Sequence, residues 1–197
     1  GSDRTSALVG GLNDNPIMNN QNSGASRRNL VLGAGAAAAV AGVGLSLWRF
    51  EPKAVNNVEN HPVWSQQFED PAGGVLSMRS FRGKPLLLNF WATWCPPCIE
   101  ELPMINAFWR ENAPNGHQVV ALAIDQPSAV RRFLERQPLA FPVGLAGLEG
   151  TNLAKSLGNA AGGLPFTVFL NTNSSIWRQK MGQLTPADLR EWRQNSL

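Results

Sequence analysis

The 197-residue chain has no tyrosine, only two histidines and only two cysteines. Each scarcity excludes something. Two cysteines cannot build a disulfide scaffold, because they can staple only each other across a very short loop. A structural zinc site needs a second ligand pair, and His61 and His117 lie far in sequence from Cys95, Cys98 and each other. Neither a metal nor a cofactor is therefore expected. Charge of one sign is also scarce: the formal net charge is +3, from 17 Lys and Arg against 14 Asp and Glu. That small, scattered excess argues against a nucleic-acid partner. No internal repeat is visible, which argues against a solenoid. Seven Trp and nine Phe make up for the missing tyrosine and supply bulk for a real core.

The chain divides by composition. Residues 1–25 are rich in Asn, Gly and Ser without sustained periodicity, and read as a disordered tail. Arg27 and Arg28 then precede residues 30–48, which carry no charge. A run of that length is near the ~20 residues a helix needs to cross a bilayer. Segment 26–50 is thus expected to be a membrane anchor, with the arginines favouring a cytoplasmic N-terminus. The competing expectation is an export signal, since Ser26-Arg27-Arg28-Asn29-Leu30-Val31 resembles the twin-arginine pattern. Either way the remainder lies outside the cytoplasm. Residues 51–63, with Pro52, Asn56, Asn57, Asn60 and Pro62, read as a linker.

From Trp64 to the C-terminus the pattern is that of one α/β domain. Residues 64–68 and 75–78, separated by Asp70-Pro71-Ala72-Gly73-Gly74, predict a hairpin with a long turn. Residues 86–91 and 119–124 are near-continuous apolar runs, as expected of strands covered on both faces. Helices are predicted over 96–113, 128–137, 153–157 and from Thr185 onward, where Thr185 and Pro186 form an N-cap and first-turn pair. A short edge strand is expected over 141–145, and a hairpin over 166–170 and 175–181. The order β-β-β-α-β-α-β-α-β-β-α describes a central sheet flanked by helices. His61 and His117 are expected in solvent, as is the helix face bearing Arg131, Arg132 and Arg136. Trp91, Trp109 and Trp192 are expected in the core.

The two cysteines close one of these strands and open a helix, in Trp94-Cys95-Pro96-Pro97-Cys98. Thiol–disulfide exchange needs a thiolate, a second thiol to resolve the mixed disulfide, and access. A helix N-terminus lowers a thiol's pKa through its unpaired N–H groups and partial positive charge. With Cys95 as N-cap, Pro96 and Pro97 have no N–H to give, so the Cys98 amide is the first available donor. Weaker thiolate stabilisation leans the pair toward a reductant. Three residues beyond Cys98, Glu101 falls on the same helical face, while Glu100 faces away.

With Asn89-Phe90-Trp91-Ala92-Thr93 in front of it, this motif resembles the thioredoxin superfamily, and most closely its TlpA/ResA/CcmG branch of membrane-anchored thiol–disulfide oxidoreductases. Pro103 matches that superfamily's proline within the active-site helix. Gly163-Leu164-Pro165 before Phe166-Thr167-Val168 matches the strand that opens on a cis proline, and the segment from Asp70 to Val75 matches the branch's extra N-terminal hairpin. The resemblance covers about Trp64 to the C-terminus. It implies a thioredoxin-like fold, Cys95 as attacking thiolate and Cys98 as resolving thiol. It also implies a cis Pro165 beside the cysteines, with Trp94, Pro96 and Leu164 around the sulfur as a docking surface. Asn89 replaces the buried aspartate of many thioredoxins and cannot transfer a proton, so the acidic neighbour is expected to be Glu101. The implied activity is reduction of specific protein cysteines outside the cytoplasm, of the cytochrome c maturation or copper/oxidase assembly type. Electrons would come from a membrane thiol donor, and the protein is expected to be a monomer. A disulfide oxidase or isomerase of the same fold is the alternative, and a Cu(I) carrier is a more distant one.

Overall fold

The computed structural model describes residues 57–196. The tail, the anchor or signal segment and the first part of the linker lie outside the described residues. Within them no helix is long and apolar enough to cross a membrane. Seven strands form one sheet: β1 (Gln67–Glu69), β2 (Val75–Ser77), β3 (Leu86–Trp91), β4 (Gln118–Ala123), β5 (Val143–Leu145), β6 (Phe166–Leu170) and β7 (Ile176–Met181). The helices are α1 (Pro96–Asn112), α2 (Pro127–Arg136), α3 (Glu149–Ser156) and α4 (Pro186–Asn195). Spatial order across the sheet is β2-β1-β5-β4-β3-β6-β7. β3 runs parallel to β4 and antiparallel to β6, so the sheet is mixed.

Period-two alternation sorts β3 into two cores. Leu87 and Trp91 face the layer that contains Leu102, Ile105 and Phe108 of α1, Val130 and Phe133 of α2, and Leu189 and Trp192 of α4. Leu86, Leu88 and Phe90 face Val63, Trp64, Met78 and Phe81 of two short 3-10 segments, with Ala154 of α3. Every residue of β3 is buried. Its five apolar side chains each contribute about 1.5–3 kcal/mol on leaving water, which is why this strand is a central one. α4 begins with a full capping box: Thr185 accepts from the Asp188 N–H while the Asp188 side chain accepts from the Thr185 N–H.

The element order matches the sequence pattern, and the departures from it are local. Residues 64–65 belong to a 3-10 helix, Pro62–Ser65, and not to the first strand. Pro62 opens that turn, His61 Nδ1 accepts the Val63 N–H, and Trp64 Nε1 donates to the Val58 carbonyl at 2.7 Å. The end of the expected linker is accordingly packed: Val58 and Val63 are buried, and Asn57 bridges to Ser175. His61 is half-buried as that cap. The strand expected at the edge, β5, lies between β4 and β1 because the N-terminal hairpin adds outside it. The helix expected from Leu153 begins at Glu149.

His117 is the clearest correction. It is 2% exposed, edge-on to Trp192 at 5.2 Å and to Phe108 at 6.1 Å, and its Nε2 lies 2.9 Å from Ser196 Oγ. Gly116, at φ +91°, makes the left-handed turn that directs the next side chain inward. Arg131 stays at the solvated face but is not free there: it pairs with Glu69 and donates to the Pro71 carbonyl, tying α2 to the hairpin. Trp109 is half-buried against the core, whereas Trp91 and Trp192 are fully inside.

Candidate active site

β3 ends at Trp91, and a short turn carries the chain into α1. Asp125, just past the neighbouring strand β4, holds that turn. Its Oδ2 accepts the Thr93 N–H at 2.8 Å and the Thr93 hydroxyl at 2.5 Å, while its Oδ1 accepts the Gln126 N–H. Sequence reasoning missed Asp125. The available signal was its position at the carboxyl end of a buried parallel strand, where α/β sheets gather their sites.

Cys95 is the N-cap of α1, with Pro96 and Pro97 in its first turn. Cys95 and Cys98 are joined as a disulfide, with Cα atoms 5.3 Å apart. Cys95 is 4% exposed and Cys98 fully buried, so Cys95 is the one at the rim. No hydrogen bond caps the Cys95 side chain. The Cys98 and Ile99 N–H groups both donate to the Cys95 carbonyl, at 3.1 and 3.2 Å. The amide expected to serve the sulfur is therefore turned to the backbone in the disulfide form.

Of the expected docking residues, Trp94 and Leu164 meet at one cleft. The Leu164-Pro165 peptide is cis, and the Pro165 carbonyl accepts the Gly182 N–H at 2.9 Å. Leu164 packs against the core cluster that contains Cys95 and Cys98. Trp94, 67% exposed, and Leu164 line one cleft of about 510 Å³ with Asp125, Pro127 and Leu148. Leu148, not singled out in the sequence, is 83% exposed on this rim. Pro96 is exposed at the helix start.

Behind the disulfide lies a buried polar group of three. Glu101, 1% exposed, accepts from Asn89 Nδ2 at 2.8 Å and from the Leu184 N–H at 2.6 Å. Asn89 Nδ2 also donates to Thr167 Oγ1 at 3.0 Å, while Asn89 Oδ1 has no partner. Burial raises the Glu101 pKa above its ordinary value; hydrogen bonds from Leu184 and Asn89, and the charge of Lys180, pull the other way. A buried carboxyl that holds its proton longer than usual, one helical turn from Cys98, is suited to accept or return a thiol proton. Glu100 is exposed. Among the described residues no cluster of His, Cys, Asp and Glu has the makings of a metal site.

A disulfide at the start of a helix, a cis proline just ahead of β6 and a mixed sheet define a thioredoxin-like thiol–disulfide oxidoreductase. The redoxin family model matches residues 61–192. A thiol-disulfide oxidoreductase ResA from Halalkalibacterium halodurans is 31% identical over 148 residues, covering 75% of this chain and 77% of that protein. Among solved structures, a thioredoxin-family thiol:disulfide interchange protein from Chlorobium tepidum superposes with a TM-score of 0.62 at 22% identity. It covers 74% of this chain and 98% of its own. StoA from Bacillus subtilis gives 0.54 at 26% identity, over 65% and 95% of the two chains. The chain belongs to the redoxin family, and within the thioredoxin superfamily it is of the ResA/CcmG-like kind.

Proposed function

We propose that this protein is an exported reductase that keeps particular protein cysteines reduced outside the cytoplasm. The observation that carries the reading is the asymmetry of the pair: Cys95 retains a little exposure next to Trp94, which lines an apolar cleft, while Cys98 is shut inside one helical turn from a buried carboxyl. In the reduced protein the Cys95 thiolate attacks a client disulfide. One client sulfur leaves as a thiolate and takes a proton, and the other remains bonded to Cys95. Cys98 then loses its proton to Glu101 and attacks Cys95 Sγ. The mixed disulfide breaks, the second client thiol departs, and the Cys95–Cys98 disulfide of this structure forms. The client has gained two electrons; a donor dithiol must restore them.

Trp94, Pro96, Leu164 and Pro165 would form the surface on which the client strand lies, its backbone against the Leu164 peptide. The 30–48 run supports a tether that holds the domain on the outer side of an inner membrane, within reach of a membrane thiol donor. A related fold has been described in a secreted Mycobacterium tuberculosis disulfide oxidoreductase, which suits the same side of the membrane. Haem-attachment cysteines of apocytochromes c, or cysteines of copper-delivery and oxidase subunits, are the client class that fits such a reductase. The single-domain site favours a monomer.

Cys98→Ser should trap the client on Cys95 as a mixed disulfide that mass spectrometry identifies, and Cys95→Ser should trap none. An adduct that formed only in Cys95→Ser would reverse the two roles. A reduction potential near that of the strong oxidant DsbA, about −120 mV, would replace reduction with oxidation as the direction.

A further inference from the structure

Two carboxylates meet the backbone at consecutive amides just ahead of α4. The Leu184 N–H donates to Glu101 Oε2 at 2.6 Å, and the Thr185 N–H donates to Asp188 Oδ2 at 2.8 Å. One peptide unit separates the two acids. The Lys180 ammonium bonds Asp188 Oδ2, and Arg178 Nη1 lies 3.3 Å from Asp188 Oδ1. Burial opposes charge on Asp188, but hydrogen bonds from Lys180 and Thr185 outweigh it and bring the pKa down to about 2. Asp188 is an anion at any working pH.

Strand register brings Lys180 to this place. Asn89 of β3 is opposite Thr167 of β6, and Thr167 is opposite Lys180 of β7. Side chains in one row of an antiparallel ladder share a face. Asn89, Thr167 and Lys180 therefore form one polar row across three strands, on the face that α1 and α4 cover. Asn89 Nδ2 joins the row to Glu101 Oε1 and Thr167 Oγ1. The neighbouring positions on that face, Leu87, Trp91 and Phe169, are wholly buried apolar residues. A polar row in such a layer costs stability unless it is satisfied, and this one runs from the helix of the disulfide to a lysine whose side chain is 22% exposed.

We propose that Lys180 is a positioning residue for the thiol–disulfide exchange: with Asp188 as its counter-ion, it sets when Glu101 holds a proton one turn from Cys98. The inference rests on the proton-handling part given to Glu101 above. Among the described residues, the charged groups facing Glu101 are Lys180 from β7 and Asp188 from α4. β3 and β6 present the neutral Asn89 and Thr167, and Arg178 acts through Asp188. The two charges act in opposite senses, since the ammonium favours ionised Glu101 and the Asp188 carboxylate disfavours it. A donor dithiol and a client can thus meet a carboxyl whose proton is governed from the edge strand of the same sheet face.

The opposed senses give the test. With the full chain oxidised, so that no thiol titrates, the Glu101 side-chain carboxyl is followed by ¹³C NMR against pH. In Lys180→Met its midpoint should move up, and in Asp188→Asn it should move down. A purely structural role would lower the unfolding temperature of both variants without separating their midpoints. Midpoints that stay put, or move the same way in both, overturn the proposal. In the reduced chain, the break in the pH profile of Cys95 alkylation by iodoacetamide should follow Glu101 in each variant and vanish in Glu101→Gln. If the carboxyl midpoints separate while the alkylation break stays fixed, Glu101 itself has no part in the chemistry, and Lys180's role in the exchange falls with it.

Discussion

Replacing Glu101 by glutamine should change the pH dependence of stability in a way set by its hydrogen bonds. In the folded protein burial keeps the Glu101 pKa above its ordinary 4.5. Between the unfolded and folded pKa values the folded protein binds a proton that the unfolded chain has released. This contribution is fully present below the unfolded pKa and is lost as pH rises through the folded one. Relative to a variant that does not titrate, wild type should lose about 1.4 kcal/mol for each pH unit across that window. Glutamine can keep both contacts: its Oε1 accepts the Leu184 N–H, and its amide can donate to Asn89 Oδ1, which is unpartnered and reached by a flip of the Asn89 amide. Alanine leaves the Leu184 N–H without its acceptor and opens a cavity, so Glu101→Ala should cost about 2–5 kcal/mol at every pH. Urea unfolding of the three oxidised proteins from pH 4 to pH 9 is the assay. Wild type should match or exceed Glu101→Gln in acid and fall below its acid-side margin as pH rises. Parallel wild-type and Glu101→Gln curves would refute the idea that this carboxyl is protonated out of its usual range.

The rest of the fold offers simpler checks. Trp192, fully buried between Phe108, Phe169 and His117, should cost about 3–5 kcal/mol on truncation to alanine, read as a lower urea midpoint. Burial lowers the His117 pKa, so its contribution is complete above the unfolded value of 6.5 and declines as pH falls below it; His117→Phe should flatten that limb of the thermal-stability profile. A Cβ on Gly144 would sit 2.8 Å from Leu122 Cδ2 and 2.9 Å from Leu76 Cδ2. Gly144→Ala should therefore destabilise by about 1–3 kcal/mol through overpacking, measured by urea unfolding.

What the sequence made legible follows from what is local. The strand Leu86–Trp91 could be read because both faces are apolar, and α1 because Cys95, Pro96 and Pro97 mark its start. Placing Leu164 against the core cluster of Cys95 and Cys98 needed the resemblance to a known family, because no local pattern brings residues so far apart in sequence together. Other features were hidden for a physical reason. His117 looked solvated because a Gly-containing polar turn precedes it; that it points inward depends on Trp192 arriving from the other end of the chain. Asp125 was missed because its partner, Thr93, lies in the turn after another strand. Leu148 gave no signal, since an exposed leucine in a loop has no period to break. Lys180 was invisible in the same way: its meaning comes from register with Thr167 and Asn89, and register across three strands is not written in any one of them.

The Pro-Pro between the cysteines raises the question of direction, and the structure sharpens it. Helix N-termini stabilise a thiolate through the N–H groups of the second and third positions. Here the second position is Pro97, which has none, and the third, Cys98, donates its N–H to the Cys95 carbonyl. The Cys95 sulfur thus receives neither of the two backbone bonds that a helix start offers. A thiolate left without them is less stabilised and a poorer leaving group, which is the sense that the proposed reductase role requires. Pro97→Ala restores one donor without altering the motif's cysteines. At a solvent-facing helix end one such interaction is worth about 0.3–1 kcal/mol, which for a two-electron couple is about 6–20 mV. The reduction potential, measured by equilibration with glutathione, should rise by that amount, and the Cys95 thiol should ionise at lower pH. A potential that falls, or a Cys95 titration that does not move, would show that the missing amides do not set the direction of this pair.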